Sequence, residues 1–278
     1  MIPDGVRVIH LEQTVSTSKD ALRLALQGEA LPLWVLADRQ TGGRGRAGRH
    51  WISAPGNLQA SVAVRSRAPI RQAGELALIA GIALMDAVQS ACRATSPLAE
   101  TRNIRLKWPN DLLIGGAKAG GILVETTTAV GEPGFLAIIG FGLNICEHPG
   151  GLANDLANDL ASVPANNLRR ATTSLADQGW RVSRTDAFAK LVEQLDHWLT
   201  AWDDGRGFAT AIAPEWRRRS GIEGEAISVT MDNAHVHGRY RGIDGRGHLL
   251  IETADGAVQT LTHGDVALAD AIEGSGSE

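Results

Sequence analysis

Cysteine is scarce in this sequence, with only Cys92 and Cys146 among its 278 residues. Two scattered thiols argue against a disulfide framework and are typical of proteins in a reducing compartment. The first residues also lack a basic start followed by an apolar run, so no secretory signal is predicted. We therefore expect a cytoplasmic protein.

Long apolar runs and a strong excess of one charge are also missing. The most apolar segment, around 76–88, is broken by Gly81, Asp86 and Gln89, which favours a core helix over a membrane span. Lys and Arg number 27 against 31 Asp and Glu, a net charge of −4. Proteins that bind nucleic acid usually carry a basic face. The mildly acidic net charge of this chain therefore favours a small anionic ligand over a polyanion.

Residues 42–49 read Gly-Gly-Arg-Gly-Arg-Ala-Gly-Arg and directly follow an apolar run, 33–37. We call residues 42–49 the glycine-arginine loop. Glycine lets backbone N–H groups approach a ligand closely, and arginine offers a fork of donors that fits carboxylate and phosphate oxygens. The loop is typical of a clamp for an anionic small molecule. A flexible surface loop without a ligand is the alternative that the loop by itself leaves open.

Gly43, Gly45 and Gly48 also fit the G-x-G-x-x-G fingerprint of dinucleotide-binding folds. That fingerprint requires a helix to begin inside the motif, with its N-terminus facing the pyrophosphate. A Pro55-Gly56 turn follows instead, and residues 58–64 then alternate between two faces as a strand does. The sequence therefore excludes a dinucleotide-binding fold.

The pattern of apolar residues predicts an α+β protein in two parts. The predicted elements before residue 221 are a strand over 6–11, a helix that starts after Ser16-Thr17-Ser18 and ends near Gly28, a helix over 71–94, antiparallel strands over 104–145, an irregular stretch over 146–170, a helix over 186–202 and a short helix around Trp216. The residues Ser16-Thr17-Ser18 are also candidate helix caps. The run Arg217-Arg218-Arg219 is predicted to be a solvated face.

After Gly221 the sequence changes to four short predicted strands, over 226–230, 236–242, 248–253 and 257–262. Gly, Asp and Asn turns separate them, which predicts a small β-barrel. We accordingly predict one domain over 1–220 and a second over 221–278. His235 and His237 share one face of a predicted strand, which allows a metal site. Because no third ligand is apparent, an ordinary edge strand is preferred.

Three further segments carry candidate functional residues. They are Lys107-Trp108-Pro109-Asn110-Asp111, the run from Lys118 to Glu125 with its glycine pair, and Gly140-Phe141-Gly142-Leu143-Asn144-Ile145. Each segment is weak by itself, because a lysine beside Gly-Gly or a Pro-Asn-Asp sequence is usually only a turn.

In this order and together, these segments resemble the biotin protein ligases over residues 8–268. Residues 40–51 are similar to that family's Gln-x-x-Gly-Arg-Gly-Arg-x-Gly-Arg-x-Trp, and residues 107–111 reproduce its Lys-Trp-Pro-Asn-Asp in full. Residues 118–125 match Lys-x-x-Gly-Ile-Leu-(Ile/Val)-Glu. Ser16-Thr17-Ser18 resembles Ser-Thr-Asn and departs from it at Ser18.

The resemblance implies a catalytic domain like that of class II synthetases, with a mixed or antiparallel sheet and helices, followed by an SH3-like β-barrel. It also implies an ATP-dependent ligase that converts biotin to biotinyl-5′-AMP and transfers biotin to a lysine of a carrier protein, such as the carrier subunit of acetyl-CoA carboxylase. ATP and Mg²⁺ are the implied cofactors, with Mg²⁺ held largely by phosphates and waters. No protein ligand for a metal is assigned.

The resemblance assigns roles to named residues. Lys118, Arg46 and Asp111 are the implied catalytic residues, with Lys118 stabilising charge on the reacting oxygens and Asp111 either orienting the acceptor lysine or capping a turn. The implied biotin-binding residues are Ser16, Thr17, Ser18, Gln40, Arg44, Gly45, Arg46 and Lys118. The implied nucleotide-binding residues are Arg44, Arg46, Trp51, Asn110, Lys118 and Asn144.

A longer form of this family carries an N-terminal DNA-binding domain. Only fifteen residues precede Ser16 and they read as a strand, so we expect the ligase-only form, without DNA or membrane partners. A lipoate–protein ligase is the nearest alternative, and a non-catalytic module that binds RNA or another anion is a more distant one. The sequence allows a homodimer and does not require one.

Overall fold

The computed structural model describes residues 5–95, 101, 103–128, 133–148, 172–231 and 234–268. Within these ranges the chain forms two β-sheets and four α-helices. Most of the stretch predicted to be irregular, 146–170, lies outside the described residues.

The first sheet has seven strands in the spatial order β1-β2-β3-β7-β6-β5-β4. The strands are β1 Arg7–Thr14, β2 Leu33–Gln40, β3 Leu58–Ser66, β4 Ile104–Lys107, β5 Asp111–Ile114, β6 Ala117–Thr127 and β7 Phe135–Leu143. Only β1 and β2 pair in parallel, and the remaining neighbours are antiparallel. The predicted mixed sheet of an α+β fold is confirmed.

The helices cover both faces of this sheet. They are α1 Thr17–Leu26, α2 Glu75–Thr95, α3 Arg184–Trp202 and α4 Ala213–Arg219. Helices α2 and α3 pack on each other and on one face, over the main hydrophobic core. Helix α1 covers the other face, where Ala21, Val35 and Ala63 belong to a second, smaller core. Because β2 and β3 are covered on both sides, most of their side chains are buried, including polar ones on β3.

The long apolar helix is a core element. Among the described residues, the one segment long and apolar enough to cross a membrane, by length and composition, is Ile70–Thr95. Of its most apolar window, 78% is buried inside the protein, as expected for the core helix of a globular domain.

The second sheet is antiparallel, with the order β11-β10-β9-β8-β12. Its strands are β8 Ala226–Met231, β9 Ala234–Ile243, β10 Leu249–Glu252, β11 Val258–Leu261 and β12 Asp265–Leu268. Four of them were expected from the turn pattern. The alternation of residues did not predict β12, which is only four residues long and pairs with β8 rather than with the preceding strand. The arrangement is consistent with the SH3-like C-terminal domain that the resemblance implied.

Polar contacts join the second sheet to the first. Trp108 Nε1 donates to the carbonyl of Gly247 at 3.0 Å, and Lys107 Nζ donates to the carbonyl of Val266 at 3.1 Å. One continuous hydrophobic cluster contains residues of both sheets. Residues 107–111 therefore lie where the second sheet meets the first.

The prediction that residues 217–219 form a solvated face is wrong for Arg219. Its side chain is 9% exposed, pairs with Asp86 at 3.1 Å and lies over the ring of Trp198 at 5.4 Å. The charge run is short, and α4 is packed against α2, so one of the three arginines turns inward. The carboxylate of Asp86, 16% exposed, compensates the charge of the Arg219 guanidinium there.

Candidate active site

The predicted site residues converge on one cavity. All of them line it except Asp111. We call this the site cavity, and its wall comes from the start of α1, the glycine-arginine loop, β3, β6 and β7. Sequence reasoning missed four polar residues of the wall: Arg49, His50, Ser61 and Thr172.

One end of the cavity is a cluster of hydroxyl and amide groups. Thr17 donates its backbone N–H to Gln40 Oε1 at 2.9 Å, and its Oγ1 lies 2.7 Å from Ser61 Oγ. Ser18 Oγ lies 3.0 Å from the same Ser61 hydroxyl. A Cβ at Gly140 would come 2.8 Å from Ser18 Oγ, so a glycine is needed beneath this cluster. The result is a neutral polar end that can hydrogen-bond to a ligand without charge.

These side chains are not ordinary helix caps. Ser16 occupies the N-cap position of α1, but no side-chain hydrogen bond caps the helix there. Thr17 and Ser18 instead point to Gln40 and Ser61. The capping alternative is therefore wrong, because burial against β3 directs the hydroxyls toward the cavity.

The glycine-arginine loop makes a tight hairpin-like turn. Arg44 and His50 form an isolated β-bridge, and Ala47 and Gly48 both have positive φ, 52° and 71°. A Cβ at Gly43 would lie 2.6 Å from the carbonyl oxygen of Trp51, so only glycine fits there. No α-helix begins in the loop, and β3 follows, which confirms that this is not a dinucleotide-binding turn.

Carboxylates and carbonyls hold the loop arginines in place. Arg44 pairs with Glu125 at 3.1 Å, and Arg49 makes a bidentate pair with Asp265 of β12 at 2.9 and 3.1 Å. Arg46 donates to Asn110 Oδ1 at 3.4 Å and to the carbonyl of Gly264 at 3.2 Å. Since the arginines line a cavity and are tied to it, the alternative of an unattached surface loop does not describe this structure.

Trp51 closes the cavity from one side. A Cβ at Gly142 would lie 2.2 Å from the indole, so the ring rests directly on the glycine backbone of β7. Lys118 Nζ lies 5.7 Å from the centroid of the indole ring, within range of a cation–π interaction. The ring and the lysine therefore bound the same part of the cavity.

Lys118 belongs to a buried network of two lysines and one carboxylate. Its Nζ lies 2.5 Å from Asp111 Oδ1, and Lys107 Nζ lies 3.1 Å from Asp111 Oδ2. Burial by itself would raise the pKa of Asp111, but Lys118 and Lys107 outweigh it and hold that pKa well below its usual range. Asp111 is thus ionised and lies behind Lys118, where it fixes the position of the ammonium group.

Three asparagines tie the cavity wall to the backbone. Asn110 donates to the carbonyl of Ile122 at 2.6 Å, and Asn144 donates to the carbonyl of Thr173 at 3.1 Å. Sequence reasoning missed Asn57, whose Oδ1 accepts the backbone N–H groups of residues 145–147 at 2.9 to 3.2 Å. Its only sequence signal was its position directly after a Pro-Gly turn. Asn57 anchors the end of β7 against β3.

The electrostatics of the cavity favour an anion. Arg44, Arg46, Arg49 and Lys118 line it, and none of the described lining residues is Asp or Glu. Among the described residues, no three His, Cys, Asp or Glu side chains cluster as a metal site. These donors fit a divalent cation that arrives on the phosphates of a nucleotide, rather than one held in a cage of protein ligands.

His235 and His237 lie exposed on β9, away from the cavity wall. His235 Nδ1 lies 3.1 Å from Thr230 Oγ1 of the neighbouring strand β8. The described residues around them supply no further ligand, so these histidines remain ordinary strand residues in this structure.

Comparisons with known proteins agree with this geometry. Residues 9–144 match the Biotin/lipoate A/B protein ligase family, and residues 224–268 match the Biotin protein ligase C terminal domain. The first match covers the strands and loops that build the cavity. The second covers the C-terminal sheet.

Individual relatives match over most of their length. The chain is 34% identical to a biotin–[acetyl-CoA-carboxylase] ligase of Paracoccus denitrificans, over 87% of this chain and 92% of the relative. It is also 34% identical to the enzyme of that name from Mycobacterium tuberculosis, over 91% of this chain and 86% of the relative. A solved structure of biotin protein ligase from Aquifex aeolicus, in complex with biotin and ATP, shares the fold with a TM-score of 0.73 at 21% identity, over 95% of this chain and 99% of that chain.

Proposed function

Because this chain belongs to the biotin protein ligase family, we propose that it activates biotin with MgATP and attaches it to a carrier protein. The enzyme is an ATP-dependent ligase that forms biotinyl-5′-AMP and then an amide with a lysine side chain. The finer partner assignment, a carrier domain that presents one lysine on an exposed turn, follows from the chemistry of an adenylate held inside a cavity.

The observation that carries the proposal is the division of the cavity into two chemically different ends. The hydroxyl and amide groups around Thr17, Gln40 and Ser61 suit the neutral, polar head of biotin. The cations Arg46 and Lys118 suit a carboxylate and an α-phosphate, two anions that must be brought together before they react. A ligand with a neutral head and an anionic tail fits this order.

In the first half-reaction, a carboxylate oxygen of biotin attacks the α-phosphorus of ATP, and the bond to pyrophosphate breaks. Arg44 and Arg46 offset the repulsion between the two anions, and Lys118 stabilises the charge that develops on the oxygens between them. Mg²⁺, which would be held by the phosphates of ATP, would supply positive charge to the departing pyrophosphate.

In the second half-reaction, the neutral amine of the acceptor lysine attacks the carbonyl carbon of the adenylate. The carbon–oxygen bond to AMP breaks, the amine nitrogen loses a proton, and AMP leaves with the electron pair. Lys118 is placed by Asp111 to stabilise the oxyanion and the leaving phosphate. We assign Asp111 as a positioning residue for Lys118, since its carboxylate lies behind the cavity wall.

Biotin is favoured over lipoate as the acyl substrate. The family match over residues 9–144 covers both kinds of ligase, whereas the match over residues 224–268 is to the C-terminal domain of biotin protein ligases. Asp265 of that C-terminal region also contacts Arg49 of the glycine-arginine loop. We therefore expect residues 1–220 to act together with residues 221–278 in one enzyme.

Pyrophosphate release tests the proposal directly. The purified protein is given MgATP with biotin, with lipoate, or with neither, and a carrier domain is then added to score labelling of its lysine. Biotin-dependent pyrophosphate release and labelling are expected. Activity with lipoate alone would identify a lipoate ligase, and no release with either acid would contradict an acyl-adenylating function.

A further inference from the structure

The second half-reaction of the proposed function removes a proton from the attacking amine. None of the described residues that line the cavity is Asp or Glu. Asp111, behind Lys118, is a weak proton acceptor. Burial by itself would raise its pKa, but Lys118 and Lys107 outweigh burial and hold that pKa well below its usual range. The proton must therefore pass to another group at the cavity.

Thr172 contributes a hydroxyl to the cavity wall, and a histidine lies behind it. Thr172 lines the cavity, and its Oγ1 lies 2.9 Å from His148 Nδ1. The tautomer of His148 with its proton on Nε2 lets Nδ1 accept a hydrogen bond from this hydroxyl. Because a hydroxyl can accept one proton while it donates its own, Thr172 connects the cavity with the imidazole.

Asp177 orients the other side of the imidazole. Its Oδ2 lies 3.4 Å from His148 Nε2 and accepts the backbone N–H of Ser174 at 2.7 Å. Burial by itself would raise the pKa of Asp177, but hydrogen bonds from Ser174 and the charge of His148 lower it. The ionised carboxylate therefore stabilises the positive charge that His148 gains with a proton. A hydroxyl, an imidazole and a carboxylate in this order form an oriented general base.

The chain places Thr172 beside Lys118. The two residues form an isolated parallel β-bridge, and Thr173 donates its backbone N–H to the Lys118 carbonyl at 3.0 Å. Asn144 donates to the Thr173 carbonyl at 3.1 Å and ties this segment to the end of β7. Lys118 and Thr172 both line the cavity, and Lys118 is assigned to the reacting oxygens. Thr172 therefore borders the part of the cavity in which the amine attacks.

We propose that Thr172 and His148 form a proton relay that accepts a proton from the acceptor lysine. The inference rests on the proposed function. As the amine nitrogen bonds to the carbonyl carbon, its N–H proton passes to Thr172 Oγ1, and the hydroxyl proton of Thr172 passes to His148 Nδ1. The bond to AMP breaks, and AMP keeps its electron pair. The imidazolium faces Asp177 and then returns a proton to water, because the His148 side chain is 20% exposed.

His50 is the rival proton acceptor, because it also lines the cavity. It follows the glycine-arginine loop, where it forms a β-bridge with Arg44. A general base needs both reach to the reacting group and a fixed orientation. The bridge between Thr172 and Lys118 supplies the first, and the carboxylate beside His148 supplies the second. The observations therefore favour His148, and His50→Gln forms a separate arm of the experiment.

Measuring the two half-reactions separately tests the relay. Enzyme with biotinyl-AMP already bound is mixed with a carrier domain, and transfer to the lysine is followed in a single turnover. Pyrophosphate release reports the first half-reaction. Thr172→Val and His148→Gln are expected to slow transfer by about 10²-fold, the lower end for losing a general base, and to leave pyrophosphate release unchanged.

Rescue separates a relay from a structural role. Thr172→Ser keeps the hydroxyl and is expected to transfer biotin at the parental rate. Imidazole added to the His148→Ala protein is expected to restore part of the lost rate, because it replaces the missing base. His197→Gln, at an exposed position of α3, is the matched control and should change neither half-reaction.

Each contrary result has a distinct meaning. Parental transfer by His148→Gln would remove the relay, and slow transfer by His50→Gln alone would assign the proton acceptor to His50. Equal slowing of both half-reactions, or no recovery with Thr172→Ser and with imidazole, would show that these side chains serve only the fold. A parent protein that forms no biotinyl-AMP would contradict the proposed function itself, which keeps the two failures distinguishable.

Discussion

Lys118 Nζ lies 2.5 Å from Asp111 Oδ1, and the Asp111 side chain is only 7% exposed. The Asp111 carboxylate also forms an ion pair with Lys107. Its negative charge therefore lies between two positively charged ammonium groups. A buried carboxylate fixes the position of the ammonium group beside it, and a fixed cation is needed to stabilise a developing oxyanion. Asp111 thereby acts on the chemistry through Lys118.

Replacing Lys118 by alanine is expected to slow formation of biotinyl-AMP by roughly 10²- to 10³-fold, the usual effect of losing one electrostatic stabiliser. Biotin binding without ATP should fall much less, because the neutral head is bound elsewhere. Single-turnover release of pyrophosphate measures the effect, and Lys190→Ala on α3 is the control. Adenylate formation at the parental rate in the Lys118→Ala protein would remove this lysine from the active site.

The Asp111→Asn protein is expected to lose about 3 kcal/mol of unfolding free energy at neutral pH. This value is at the lower end of the range for breaking a buried ion pair, because the Lys118 side chain is 24% exposed and keeps some contact with water. Denaturant titrations at several pH values measure it. Asp196→Asn, at an exposed position of α3, should be nearly neutral.

The same carboxylate sets a pH dependence with a definite sign. Its pKa in the folded protein is depressed, so its stabilisation is complete above the unfolded pKa of about 4 and is lost as the pH falls toward the folded pKa. The parent should therefore lose more stability than Asp111→Asn between about pH 5 and pH 2. Parallel stability curves for the two proteins over that range would contradict the assignment.

Arg46→Ala is expected to weaken retention of the adenylate by about ten- to a hundred-fold, the scale of one hydrogen bond between charged groups. The melting temperature without ligand should change little, because the Arg46 side chain is 27% exposed and its guanidinium lies 3.7 Å from Asp265 and 3.4 Å from Asn110 Oδ1. Dissociation of labelled biotinyl-AMP is the measurement, with the exposed Arg246→Ala as control. Loss of apo stability with normal retention would make Arg46 structural.

Limited trypsin digestion should detect ligand-dependent protection of the glycine-arginine loop, since cleavage after its arginines requires the loop to open. Biotin with MgATP is expected to slow cleavage there, because binding orders glycines that are otherwise costly to fix. Asp265→Asn, which removes the bidentate partner of Arg49, should speed cleavage without ligand several-fold. Asp255→Asn, at an exposed turn, is the control. Identical digestion rates in all samples would contradict ligand-dependent protection of the loop.

We also expect no sequence-specific binding to DNA, because the net charge is −4 and the loop arginines face the cavity. Any weak binding to a duplex should fall steeply with salt, as counterion release requires. Gel shifts near physiological salt with operator-like and scrambled duplexes, run beside carrier labelling, test this. Tight binding to one duplex only would contradict the expectation.

Local sequence patterns were enough to predict most of the helices and strands, and the resemblance to a known family supplied most of the residues of the cavity wall. The alternation over 58–64, the apolar run over 71–94 and the glycine pairs each reflect a short-range physical rule of strand, helix or turn. Residues 42–49 by themselves indicated an anionic ligand, because glycine allows close backbone approach and arginine binds carboxylate and phosphate oxygens. Residues 107–111 indicated the ligase chemistry only through their resemblance to the biotin protein ligases.

Only the tertiary structure decided which charges and amides meet. Arg49 and Asp265 are separated by 216 positions in the chain, and no local pattern links them. The same holds for Arg219 of α4 and Asp86 of α2, which lie 133 positions apart and form an ion pair at 3.1 Å. A side chain's role depends on what lies across the sheet or across the interface from it. Local propensity does not contain that information, because long-range packing sets it.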